Sequence, residues 1–176
     1  MTPFQISMRC PAQSDAPALA AAVQESVAEI ALWMSWCHAA YGEQDATNWI
    51  DSTLAARLSG AAYEFLIVDV DDRIVGVCGV NHVNAVDRFA NLGYWVRSTA
   101  MGQGIAPRAV LLVAEWTFAN TNLNRLEIVV AEGNARSQRV AEKSGAKREA
   151  ILRQRMIVGG HPVDAVMHSL VRPKAD

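Results

Sequence analysis

Apolar residues recur along this 176-residue chain with two periods, and the changes between them divide it into elements. Residues Phe4 to Cys10 alternate and predict an early or edge strand. Asp15-Ala16-Pro17 then supplies a capping residue and an early proline, and Val23, Val27 and Ile30 put an apolar stripe on the run Leu19 to Ile30, so one helix is expected there. A second helix is expected from Asp45 to Leu58, with Trp49, Ile50, Leu54 and Leu58 turned inward. Glu64 to Val70 and Arg73 to Val80 read as strands either side of Asp71-Asp72, a hairpin turn. After a loop at Asn84 to Arg88, alternation of Leu92, Tyr94 and Val96 gives the third strand of an antiparallel meander.

The second half changes period. Val110, Leu111, Val113 and Ala114 recur at helical spacing behind Pro107, which a first turn tolerates, and predict a helix from Ile105 to Ala119. Asn122 to Asn124 make a turn, and Leu126, Ile128 and Val130 share one face of a strand from Arg125 to Ala131. Gly133-Asn134 opens a short helix that ends at Ser144-Gly145, with Gly145 as a left-handed cap. Ala150 to Val158, Gly159-Gly160 and Val163 to Val171 form a closing hairpin. The unit from Asn91 to Ala131 should cross right-handed, so its two strands lie side by side with loops sharing one edge. The expected fold class is α/β: a mixed, mostly antiparallel sheet flanked by helices, with a central strand-helix-strand crossover. Without repeats, low-complexity tracts or a visible boundary, residues 1–176 read as one domain.

Composition narrows the function. The chain is 51% hydrophobic with a net charge of -2, which gives no bulk attraction to nucleic acid or membrane. Cys10, Cys37 and Cys78 are odd in number, widely spaced and without a zinc-like His partner, so they read as free thiols in a reducing compartment. No metal is expected. No basic segment leads into an apolar run at the start and no stretch approaches a membrane span, so a soluble cytoplasmic protein is expected.

Candidate chemistry gathers between Asn91 and Ala114, where a strand, a loop with Gly102 and Gly104, and a helix N-terminus follow one another. Glycines permit positive φ and close approach, while the first helical N–H groups and the dipole favour an anion. Arg97 and Arg108 are the only charged side chains from Leu92 to Ala114. The loop is read either as a phosphate cradle or as a tight strand-helix connection. A Walker loop is excluded because Gly104-Ile105-Ala106 replaces Gly-Lys-Ser/Thr, and a dinucleotide fingerprint fails because Pro107 stands where a small residue is needed. Trp33-Met34-Ser35-Trp36 is too aromatic for an exposed linker and reads as core packing ahead of ligand contact.

Several spaced motifs then fall in one order. Asn91-Leu92-Gly93-Tyr94-Trp95-Val96, Leu126-Glu127-Ile128, and the run from Asn134 through Ser137 to Glu142-Lys143-Ser144-Gly145 resemble the RimJ/RimL branch of the GNAT N-acetyltransferase superfamily. That branch carries Gly-Tyr-Trp, Asn-x-x-Ser and a Glu-Lys-x-Gly helix end. Trp33-Met34-x-Trp36-Cys37-His38 is similar to its RimL side, so the resemblance covers nearly the whole chain. Gly104 and Ala106 fit the superfamily's coenzyme A loop, Arg/Gln-x-x-Gly-x-Gly/Ala, whereas Met101 departs from its leading Arg/Gln.

The resemblance implies a GNAT fold and acetyl transfer from acetyl-CoA to a primary amine, directly in a ternary complex. It implies that the coenzyme lies along Val96, Arg97, Met101, Gly102, Gln103, Gly104, Ile105, Ala106, Asn134 and Arg139. A backbone N–H near Val96 would hold the thioester oxygen. Ser137 would supply a proton to the departing thiolate, against the plainer reading of a serine bonding its own helix end. Asn134 is a helix cap, a partner of the pantetheine arm, or both. Glu127, pointing away from Leu126 and Ile128, would take the amine proton through water, against the alternative of a solvated strand carboxylate. Arg136, Arg139 and Lys143 share a helix face, most simply a solvated one. The four histidines suggest neither a metal nor a triad.

Acceptor chemistry favours an α-amine: neutralising one of pKa about 7.8 at pH 7 costs about 1 kcal/mol, against about 4.6 kcal/mol for a lysine near 10.4. A protein or peptide N-terminus is therefore the easier acceptor, and the RimJ/RimL resemblance implies that of a ribosomal or other cytoplasmic protein, with polyamine- or aminoglycoside-like amines as the alternative. A module that binds coenzyme A without catalysis is the rival that Met101 favours. The resemblance also implies a homodimer.

Overall fold

The computed structural model describes residues 4–174. Its strands are β1 (Ser7–Arg9), β2 (Tyr63–Val68), β3 (Ile74–Asn84), β4 (Phe89–Val96), β5 (Arg125–Ala131), β6 (Lys147–Val158) and β7 (His161–Val171). They form one sheet in the order β1-β2-β3-β4-β5-β7-β6. Neighbours are antiparallel except β4 and β5, joined through the crossover helix α4 (Ile105–Asn120). This is the mixed α/β architecture that the periodicities imply.

Strand alternation divides the interior. Phe65, Ile67, Cys78, Val80, Ala90 and Leu92 point to one face and pack with Ile105, Ala109, Val110 and Val113 of α4 and Ala141 of α5 (Ala135–Lys143). Leu66, Val68 and Val77 point to the other and meet Leu19 and Val23 of α1 (Ala16–Glu25) and Ala46 and Ile50 of α3 (Glu43–Ser59). Fully burying each large aliphatic side chain contributes about 1.5–3 kcal/mol, so both faces are secured by ordinary core packing.

Several boundaries differ from the expected ones for local reasons. The helix expected over Leu19 to Ile30 breaks into α1 and the single turn α2 (Val27–Ile30). Buried Ser26 donates its hydroxyl to the Ala22 carbonyl and accepts from the Ser98 N–H, so the break ties this helix to the segment after β4. Leu58 is 91% exposed rather than inward. The inner line of α3 runs Ala46, Ile50, Thr53 and on to Arg57, whose guanidinium lies over the rings of Tyr63, Phe65 and Trp116. Val70 leaves β2 because Asp69 Oδ1 accepts from the N–H groups of Asp71 and Arg73 and closes the turn.

Candidate active site

β4 and β5 pair at Phe89↔Arg125, Ala90↔Leu126 and Asn91↔Glu127, and then separate. Beyond Asn91 the sheet is open between two parallel strands, although β4 continues to Val96 and β5 to Ala131. On its other side β4 stays bonded to β3, and the Arg97 N–H donates to the Val75 carbonyl at 2.8 Å. N–H groups alternate sides along a strand, so those of Val96 and Tyr94 turn into the opening. An extended, amide-bearing molecule laid there completes the missing ladder.

At the end of β4 the chain turns through Met101 to Gly104 into α4. Gly102 and Gly104 have φ of +77° and +75°, where a side chain is strained, and an added Cβ at either would meet nothing within 4 Å. Gly104 is the N-cap of α4 and has no side chain to cap it, so the first-turn N–H groups of Ile105 and Ala106 point outward unpaired by a cap. Arg136 on α5 reaches over this loop to Met101 Sδ at 2.8 Å and brings a cation to the place where the loop motif lacks one. Arg139 is exposed on the same helix. Arg97 is engaged elsewhere: its guanidinium bonds Glu25 at 2.6 Å, and this pair together with Thr99 holds the Glu25 carboxyl down to about 2. Arg108 bonds the Phe4 carbonyl.

α5 opens with Asn134, whose Oδ1 accepts from the Ser137 N–H at 3.0 Å, so the capping role is present. The Ser137 hydroxyl lies 2.9 Å from Tyr94 Oη, and Tyr94 Oη also stands 3.0 Å from the Ser137 carbonyl. Burial keeps the Tyr94 phenol protonated far beyond its usual range. Tyr94 is the partner that sequence reading missed; its only signal was the Gly-Tyr-Trp motif.

On the α1/α3 face the opening leads into a cleft of about 590 Å³, lined by Trp33, Trp36, Tyr41, Trp49, Trp95 and others. The tryptophans expected in the core are therefore cleft walls: Trp36 is 44% exposed, and its ring meets Tyr41 and Trp95 at 5.8 and 6.5 Å. Chain distortions bring in the remaining walls. A register shift between Asn81 and Asn84, with His82 at φ +51°, presents Asn81 and His82. A second shift between Leu152 and Met156, with Gln154 at φ +50°, presents Arg155, Met156 and Ile157.

Glu127 faces away from the buried Leu126 and Ile128, as alternation requires. Its carboxylate, however, accepts from Arg125 Nε at 2.7 Å, and the same guanidinium forks onto Glu149. Glu127, the carboxylate expected as base, does not line the cleft and belongs to an ion-pair network with Arg125 and Glu149. The cleft does contain a different one, Glu64 of β2. Of the histidines, His82 lines the cleft and His168 is buried; no group of His, Cys, Asp or Glu among the described residues is placed to hold a metal. Cys10, Cys37 and Cys78 are free thiols.

The whole arrangement has known counterparts. An uncharacterized N-acetyltransferase p20 of Bacillus licheniformis is 31% identical over 116 residues, 65% of this chain and 65% of its own length. A putative ribosomal N-acetyltransferase, YdaF of Bacillus subtilis, is 31% identical over 102 residues, 58% of this chain. The chain thus spans 65% of the first relative and 56% of the second. Among solved structures, RimL, a ribosomal L7/L12 alpha-N-protein acetyltransferase in complex with coenzyme A, superimposes with a TM-score of 0.87 over 94% of this chain and 93% of its own, at 20% identity, which is a likeness of fold. The profile of the acetyltransferase (GNAT) domain matches residues 5–147. A chain matched over most of its length by that profile, and opening its sheet between β4 and β5 ahead of an uncapped glycine-led helix, belongs to the GNAT acetyltransferase family.

Proposed function

We propose that this protein transfers an acetyl group from acetyl-CoA to a primary amine, the N-terminal α-amine of a ribosomal or other cytoplasmic protein, directly in a ternary complex. The observation that carries this is the opening between β4 and β5, which joins the α4 N-terminus to the aromatic cleft. The residues fit the coenzyme. Outward N–H groups of Ile105 and Ala106 with the flanking Gly102, Gln103 and Gly104 suit a pyrophosphate, with Arg136 and Arg139 adding positive charge from α5. The Tyr94 and Val96 amides and Asn134 suit the pantetheine arm.

In this reading the Val96 N–H donates to the thioester oxygen as negative charge develops there. Ser137, supported by Tyr94, donates a proton to the departing sulfur at the N-terminal turn of α5. The aromatic walls exclude water and disfavour the charged form of the incoming amine. An α-amine, the easier one to neutralise, suits such a site. Both the aromatic cleft and the likeness to relatives named for ribosomal acetylation support this acceptor. We further read residues 1–176 as one domain, working in the cytoplasm as a homodimer.

The test is turnover. Mixed with acetyl-CoA and a panel of Ser- and Ala-initiated peptides, polyamines and aminoglycosides, the protein is expected to release free thiol fastest with the peptides. Absence of both turnover and coenzyme binding overturns the reading; binding without turnover reassigns the chain as a non-catalytic module. Ser137→Ala is expected to lower kcat by about 100-fold while changing coenzyme affinity far less.

A further inference from the structure

The cleft holds a half-buried carboxylate, Glu64, that the steps above leave unused. Glu64 stands on β2 opposite Gly79 of β3, which is itself opposite Gly93 of β4. A Cβ on Gly79 would lie 2.2 Å from Glu64 Oε2 and 2.6 Å from Glu64 Cα, so the carboxylate occupies space that only glycine leaves. Gly93 also lines the cleft, and a Cβ there would meet only Asn91 Nδ2, at 3.8 Å. Glu64, Gly79 and Gly93 thus make a bare lane across the sheet. It ends at the open edge of β4 where Tyr94 and Val96 begin, about 10 Å from Glu64 at two interstrand spacings.

The carboxylate is also oriented. Asn81 Nδ2 donates to Glu64 Oε1 at 2.9 Å, and Asn81 Oδ1 accepts from Asn91 Nδ2 at 2.9 Å. The chain fixes one oxygen and leaves Oε2 over the lane. We propose that Glu64, reached along the glycine lane through water, is the group that takes the proton from the acceptor's ammonium. This rests on the acetyl-transfer reading and deepens it.

The proton balance is simple. An ammonium N–H bond breaks, its proton passes through water to Glu64 Oε2, and the freed nitrogen lone pair attacks the thioester carbon. The C–S bond breaks and the sulfur takes its proton from Ser137; the second proton that the nitrogen sheds as the amide forms returns through water to Ser137, and Glu64 releases the first proton to solvent. Burial raises the proton affinity of Glu64, which suits a base, whereas the Glu127 carboxylate is ion-paired with Arg125 and lies outside the cleft. The charged and titratable groups around Glu64 are Arg57 of α3, whose Nη2 bonds the Glu64 backbone carbonyl, Cys78 of β3, Tyr94 of β4, and His82 and Arg155 on the cleft walls.

Glu64→Gln keeps the oxygen that accepts from Asn81 and is the variant to compare with wild type and Glu127→Gln. With acetyl-CoA and a Ser-initiated octapeptide, kcat/KM at pH 7 is expected to fall about 100-fold at Glu64→Gln, with coenzyme affinity unchanged and Tm not lowered. The loss should shrink toward pH 9 as the free amine becomes abundant. A loss under threefold, or an equal loss at Glu127→Gln, overturns the proposal. A second readout does not need turnover: in 13C-carboxyl NMR of the coenzyme-bound protein, spermidine or the octapeptide should shift the Glu64 resonance. No shift there, or a shift at Glu127 instead, overturns the assignment of Glu64; failure of wild type to transfer acetyl to any amine counts separately, against the reading of activity.

Discussion

The single hydrogen of Tyr94 Oη can serve either the Ser137 carbonyl or the Ser137 hydroxyl, and the choice decides what Ser137 can do. If Tyr94 donates to the hydroxyl, the serine hydrogen is free to meet the departing sulfur. Tyr94→Phe removes that support and leaves the Asn134 cap on Ser137 intact, so kcat should fall by about 10-fold, a smaller loss than that of Ser137→Ala. Steady-state kinetics with one peptide compare the two. Because the phenol stays protonated far above its usual range, its ionisation should give no alkaline loss of activity below pH 9. Ser137 and Asn134 were legible in the sequence because a cap and the residue it bonds lie three positions apart. Tyr94 was not legible as their partner because it is 43 residues away. Arg97 shows the same limit: the sequence gives a cation beside the loop, and the fold assigns it to Glu25 of α1.

At the level of elements, the site depends on what two strands and one helix leave unsatisfied. Gly104 caps α4 with a left-handed backbone in open space, so Gly104→Ala carries a conformational cost of about 1–2 kcal/mol and no clash. Thermal denaturation should register that cost, and calorimetry should show weaker coenzyme binding. Arg136→Ala removes the cation that overlies Met101, and coenzyme Kd is expected to rise about fivefold with kcat little changed. Element identity was readable from periodicity, including the Gly145 turn at φ +77° after α5. The bulges in β3 and β6 were not. A positive φ at His82 or Gln154 has no glycine to announce it; pairing across the sheet imposes it, and both bulges turn side chains into the cleft.

The whole molecule places apolar layers on both sides of one sheet, and this exposes its stability to pH. His168 is buried on β7, and its ring nitrogens approach the Ile128 and Val166 backbone without a well-formed hydrogen bond. Burial, the largest effect, lowers its proton affinity below the ordinary 6.5. The folded value lies below the unfolded one, so stability is intact above about pH 6.5 and declines as pH falls through that value. Glu25 and Glu149, both held near 2, add a second loss below about pH 4.5, while Glu64, raised by burial, acts in the opposite sense. Chemical denaturation at pH 7.5 and 5.5 should show a loss in wild type that His168→Leu reduces.

Periodicity, turn chemistry and capping act within a few residues, so the elements, the crossover, the glycine-led helix start and the Asn134 cap could be read along the chain. Folding in three dimensions set where β4 and β5 part, brought Tyr94 to Ser137, made the tryptophans walls of a cleft, and put Glu64 in that cleft while Glu127 pairs with Arg125. Those outcomes depend on register and on which distant side chains share a face, and no local pattern records either.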